Sequence, residues 1–326
     1  MRLIRSVFLG ASVLAGAAAL DSARLAAQFA PECAGYSGQA ENVCSAAVDA
    51  TRAFHPVAGL LVSGGNPVLG TGRTLGGFPR FSFTARVNAT EVVLPSLEYD
   101  GSDETLASED EIVAPAPLVE ASMGVFRGLG RGLLAVDLLG SAQLLPTNVV
   151  DNLSVDDDAR RIGDVALGLG YGVRIGVLAG SFPIPSVSVS LMRRGVPRIQ
   201  YGNLGDLSQD FQYAVDLDAT NVRVVASEQI GVLTLAAGLG WDKYTGDAAI
   251  AFRHPLTGLP QAPIEIELDN SRTMAFLNAG LDLSVLKVVG ELGYQGGKDQ
   301  DLSTDFEGWD AEGGRLFGGV GLRFGF

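Results

Sequence analysis

Residues 315–326, "RLFGGVGLRFGF", decide the fold. Taken two at a time, Leu316, Gly318, Val320, Leu322, Phe324 and Phe326 share one face, while Arg315 and Arg323 lie among glycines on the other. Successive side chains of a strand point to opposite sides, so this is a strand with one apolar and one polar face. The end of a soluble domain tends to fray and gains little from an apolar side chain. A chain that closes on Phe324 and Phe326 is expected to set them against something other than water. Alone, the segment also fits a half-buried strand of a soluble sandwich, and the remaining sequence separates the two.

The alternation recurs. In "RFSFTARVNATEVVLP", Phe81, Phe83, Ala85, Val87 and Ala89 oppose Ser82, Thr84, Arg86, Asn88 and Thr90. Similar segments begin at Leu118, Gly132, Gly163, Ser186, Phe211, Gly231, Arg272, Leu286 and Arg315. The one at Phe211 shifts phase near Ala219, as a β-bulge would cause. Each is long enough for an oblique membrane crossing of about nine to eleven residues. The stretch 243–270 reads as one large loop bearing a hairpin or as two further strands. Pro255, Pro260 and Pro263 favour the loop, so ten strands are expected and twelve remain open.

Long connections (95–117, 145–162, 201–210, 243–271 and 297–313) take turns with short ones near 129, 181, 229 and 285. That is the order of an up-and-down meander with short periplasmic turns and long outer loops, and a Greek-key sandwich does not require it. Most Asp and Glu residues fall in the long connections, so the outer rim is expected to be anionic. The expected fold class is all-β: a transmembrane antiparallel up-and-down β-barrel over residues 80–326.

Composition agrees. Of the 326 residues, 47% are hydrophobic, 18% are charged and 43 are Gly, and the mean hydropathy is +0.25. High apolar content spread as alternation suits a barrel, which satisfies its backbone between strands. The opening "MRLIRSVFLGASVLAGAAAL" sets Arg2 and Arg5 before an apolar run and small residues, the plan of a cleaved signal peptide over 1–27. Its apolar run is short for a span of about twenty residues. The net charge of −14 argues against nucleic acid as a partner.

Residues 28–79 form an N-terminal segment that is either periplasmic or a plug in the lumen. In an exported chain, Cys33 and Cys44 are expected to form a disulfide stapling a small periplasmic element, since two ligands do not complete a zinc site. "AENVCSAAVDATRAF" reads as a short helix, and the glycine-rich stretch after it gives no strand signal.

By strand phase, Arg86, Asp137, Arg174, Arg194, Asp216, Arg223, Arg272, Asp282, Glu291 and Arg323 point into the lumen. In a barrel this narrow, such charges pair across the interior or line a water path. No catalytic residue is assigned: His55 and His254 both read as turn residues before proline, with no nucleophile placed beside them. The glycine runs at Gly168 and Gly296 lack the helix or the spacing of nucleotide motifs, and no cofactor is expected. The acidic groups Asp299, Asp301, Asp305 and Glu307, and Asp156 to Asp158, read as solvated loops that attract divalent cations loosely, without a dedicated metal site.

On these residues the chain resembles bacterial outer-membrane β-barrel proteins, whose last strand ends in Phe with apolar residues at alternate positions. The resemblance implies that Val320, Leu322, Phe324 and Phe326 form a recognition signal for the barrel-assembly machinery, with outer-membrane lipid as the surrounding partner. "FHPVAGLLVSGGNPVLGTGRTLGG" is similar, through Asn66 and Pro67, to the N-terminal region of fatty-acid-transporter-like barrels, though without their Asn-Pro-Ala-Gly run. The expected function is a narrow or plugged pore or a structural barrel, not an enzyme. A transporter of hydrophobic molecules is the alternative, and a surface hydrolase is disfavoured.

Overall fold

The computed structural model describes residues 30–326, apart from 103–104, 131, 147–152, 156–158, 163–164 and 182. The signal peptide expected over 1–27 and the cluster Asp156 to Asp158 lie outside the described residues. Ten long strands close into a ring: β1 (Phe81–Pro95), β2 (Ser108–Phe126), β3 (Val136–Pro146), β4 (Val165–Leu178), β5 (Ser186–Tyr201), β6 (Phe211–Ile230), β7 (Leu233–Phe252), β8 (Ile264–Leu283), β9 (Leu286–Gln295) and β10 (Arg315–Gly325). Each pairs antiparallel with the next, and β10 returns to β1 from Ser82↔Gly325 to Thr90↔Phe317. The short turns and Phe326 share one end, the turn end, and the long connections form the other, the loop end.

The usual burial rule is inverted. Val320 and Leu277 face outward at 66% and 64% exposure, whereas Arg174 and Arg223 face inward at 2% and 1%. An apolar outer band around a polar interior is the arrangement that lets a sheet cross lipid with every backbone group paired. Val320, Leu322, Phe324 and Phe326 all stand on the outer face.

Three details differ from the sequence reading. First, β7 and β8 stay paired up to Ile250↔Ile264, so much of 243–270 is the upward extension of one hairpin and the ring has ten strands. Its prolines fall in the connection or at the edge of the pairing. Second, β2 starts at Ser108, inside the stretch read as loop. There, among the described residues, it pairs only with β1, because its ladder to β3 begins at Leu118, and Pro115 and Pro117 fall on the edge turned away from the neighbouring ladder with β1. Third, β6 has no phase slip. Val215, Leu217, Ala219, Asn221 and Arg223 all face inward, and the register shift lies in β5 between Val196 and Ile199, around Pro197. Asp216 therefore points outward, 3.7 Å from Arg198, and is not a lumen charge.

Inside the ring stands helix α1 (Gln39–Ser63). Its 25 residues rise about 37 Å, enough to cross a hydrocarbon layer of about 30 Å. The short helix read from the sequence continues through Pro56. That proline removes the bond to the carbonyl of Arg52. Gln300, with its side-chain nitrogen turned toward the helix, donates to that carbonyl at 3.0 Å. Ala40, Ala46, Ala47, Ala50, Ala53 and Ala58 keep the helix thin, so it fits a lumen that larger side chains would overfill.

The helix begins at the loop end. Asn42 donates to the carbonyl of Gly101 at 2.9 Å, and Tyr36 meets Phe252 edge-on with ring centroids 4.8 Å apart. Asp49 accepts bonds from Ser303 and Thr304, which tie the last long loop over it. Cys33 and Cys44 are joined there in a disulfide, which corrects the periplasmic placement of the staple. Around α1 at this end the inward residues are apolar, among them Leu97, Tyr201, Phe211, Tyr213, Ile250 and Phe252, so the upper lumen is packed like the core of a soluble domain.

Gly59 is where helix and wall come closest: a Cβ there would run into the ring of Tyr244, whereas a Cβ at Gly290 on the outer wall meets nothing within 4 Å. Gly59→Val is expected to lower stability by about 1–3 kcal/mol through overpacking. Gly290→Ala should stay within about 0.5 kcal/mol. Urea midpoints of the two refolded variants in detergent check both.

Candidate functional site

The site is the lower lumen, where α1 ends and the chain turns toward β1. Gly64 caps the helix at φ 57, and its N–H donates to the Leu60 carbonyl at 2.9 Å. A left-handed φ favours glycine, and a Cβ at this position would collide with the Arg86 guanidinium. The last carbonyls of a helix lack intrahelical donors and carry the negative end of its dipole. Here the helix end, its cap and the turn after it meet donors from the wall. Arg223 donates from Nη2 to the Gly64 carbonyl at 2.9 Å and from Nε to that of Gly65 at 2.8 Å. Arg86 donates to the carbonyl of Asn66 at 2.7 Å, and Asn88 to that of Leu61 at 3.0 Å.

One carboxylate holds the same turn through its donors. Glu291 accepts from the N–H groups of Gly65 and Asn66 at 3.0 and 2.8 Å, and from the Asn278 side chain at 2.8 Å. Asn66 in turn donates to Asn278 at 2.8 Å. Asn66 is thus the hub that pins the plug to β8 and β9.

Each buried cation has a counter-charge or a carbonyl. Arg223 pairs with Asp242 at 2.6 Å, and Tyr244 donates to the same carboxylate at 2.9 Å. Arg194 reaches Glu120 at 3.2 Å and donates to Asn221, which bonds onward to Asp242 and to Ser63 of the helix. Arg86 lies 3.6 Å from Glu120 and 3.9 Å from Glu291. Nearer the turn end, Arg174 pairs with Asp137 at 2.7 Å, and Asp137 also accepts the N–H of Leu75. Arg323 donates to the Leu69 carbonyl at 2.8 Å. Arg272 lies higher, against Asn270, and Asp282 sits at the rim with Lys287.

Strand phase alone brings these lumen residues to one wall, and Asn88 shares the polar face of Arg86. It gives no sign of Asn66 or Tyr244, while the run Asn221-Val-Arg223 facing Asp242 on a neighbouring strand is a signal that marks Asn221 and Asp242. His55 is helical and buried, with its ring edge-on to Tyr244, and is not a turn residue. His254 sits in a turn, where its Nδ1 accepts from Leu256. Among the described residues no three His, Cys, Asp or Glu side chains gather as a metal would need. In the loops, hydrogen bonds from Ser208 hold Asp206 below the usual carboxylate range, and partial burial pushes Asp210 up.

A closed antiparallel ring with an apolar exterior, buried charges within and unequal ends leaves one reading. The chain is a β-barrel of the outer-membrane kind. No family model and no curated protein matches its sequence. Among solved structures it is similar to the outer-membrane protease OmpT of Escherichia coli, at 10% identity over 78% of this chain and 100% of that one, with a TM-score of 0.38. It is also similar to the translocator domain of the autotransporter NalP from Neisseria meningitidis, at 11% identity over 85% and 97% with a TM-score of 0.37. A third is the Acinetobacter baumannii outer-membrane protein Omp33, at 10% identity over 76% and 99% with a TM-score of 0.25. The assignment of this barrel rests on its own closed ring.

Removing one partner of a buried pair strands the other charge. Asp242→Ala is expected to cost about 3–5 kcal/mol. Arg193→Ala, which opens only the exposed pair with Asp218 on the outer wall, should cost at most about 1 kcal/mol. Denaturant midpoints of the two variants measured side by side test the difference.

Proposed function

We propose that this barrel is a plugged pore or structural barrel, held closed by its own N-terminal segment, and that it is not an enzyme. The observation that carries this reading is the turn Ser63 to Asn66, whose carbonyls are held by Arg86 and Arg223 while Glu291 holds its N–H groups. A passive fill would need only small apolar side chains against the wall. This one is fastened by charge-assisted bonds from β1, β6 and β9, each stronger than a neutral hydrogen bond. Above the turn, α1 packs into an apolar core, so two kinds of contact keep the lumen shut.

The same geometry speaks against the transporter of hydrophobic molecules. An apolar cargo moving along the lumen would have to displace Arg223, Asp242 and Glu291 from their partners and leave them unpaired. The similarity at Asn66 and Pro67 has a local explanation instead, since Asn66 serves as the fastening point of the turn. Recognition of Val320, Leu322, Phe324 and Phe326 by assembly machinery belongs to the same proposal and is supported by their outward position on the closing strand.

Planar-bilayer recording on the refolded full chain tests the closed state. The parent is expected to carry no steady current, and Arg86→Ala with Arg223→Ala, which leaves the turn held by Glu291 and Asn278 without its two arginines, should produce intermittent openings. A steady current through the parent, typical of a water-filled channel, would overturn the reading.

A further inference from the structure

Below the plug, the lumen opens at the turn end into a cavity of about 1,110 Å³. Its charge is opposite to that of the chain. Arg73, Arg80, Arg127, Arg174, Arg323 and Lys287 line it, against Glu228 as the acidic side chain, in a protein of net charge −14. Two of these cations are already matched, Arg174 by Asp137 and Lys287 by Asp282. Arg323 and Arg80 spend one bond each on carbonyls, those of Leu69 and Leu75. Among the described residues, no carboxylate is paired with Arg73, Arg80, Arg127 or Arg323.

Donors without acceptors line the same cavity. Ser82, Thr234 and Arg174 are at most 5% exposed, and the Ser82 hydroxyl, the Thr234 hydroxyl and Arg174 Nη1 have no hydrogen-bond partner among the described residues. A buried polar group left unpaired costs free energy, and a basic cleft between low-dielectric walls concentrates anions.

We propose that this turn-end vestibule is a binding site for a small soluble oxyanion of phosphate type carrying two or more negative charges. Such a group accepts several hydrogen bonds at once and supplies the charge that four unmatched guanidinium groups lack. The volume admits a phosphorylated compound larger than phosphate itself. The ring of strands separates the cavity from the acyl chains, so the ligand arrives from the aqueous phase and not as a lipid headgroup. The site stands on the geometry of the vestibule alone, whether or not the barrel conducts.

Calorimetric titration of inorganic pyrophosphate into the refolded full chain, in zwitterionic detergent at low ionic strength, tests the site. One saturable event that weakens with added salt is expected. Arg323→Gln and Arg73→Gln should each weaken it about tenfold, the loss of one charge-assisted bond. Arg193→Gln on the outer wall should leave it unchanged. If Arg323→Gln no longer folds, as judged by heat-modifiable migration on a gel, Arg73→Gln with Arg127→Gln replaces it, both positions being exposed and outside the strands. Absence of saturable heat in the parent, or equal affinity in parent and folded variants, overturns the proposal.

Discussion

Everything in this molecule depends on the seam between β1 and β10. Nine residues of β1, from Ser82 to Thr90, pair with β10, and that ladder turns a sheet with two open edges into a ring. An open edge in hydrocarbon would leave backbone groups without partners at several kcal/mol each. Closure also creates an inside. Only because the wall is continuous can Arg86, Arg174, Arg194 and Arg223 sit in the middle of a membrane-crossing body, screened from lipid by a single layer of backbone.

What lies inside is organised by height. Near the loop end the wall turns apolar side chains inward and α1 answers with valines and alanines. At mid-height the wall is polar and answers the bare carbonyls of the helix end. Buried ion pairs contribute little net stability against well-packed apolar residues of the same volume, but they penalise misalignment, because any shift strands a charge. An apolar lower lumen would let the plug slide. The pattern Arg223–Asp242, Glu291–Asn66 and Arg174–Asp137 fixes its depth and rotation.

Much of the wall was legible in the sequence, because a strand bounded by lipid on one side and a polar interior on the other must alternate. Phe83 against Arg86, or Leu322 against Arg323, shows the rule directly. The reading failed where one side changed character. Val215, Leu217 and Ala219 face the helix, so their apolar inward side broke the expected contrast and suggested a slip that does not exist. Asp216 was misplaced for that reason. Pro56 hid the length of α1, since a proline signals an end and nothing local reveals that Gln300 meets the freed carbonyl. Asn66 and Glu291 are 225 positions apart, and no periodicity joins them.

The direction of α1 has a topological consequence. Ten strands and one helix pass through the wall's height, an odd number of passages, so Ala30 and Phe326 stand at opposite ends of the barrel. The polypeptide is in effect a single thread drawn from one face of the membrane to the other, with the disulfide-closed head as a knot at the far side.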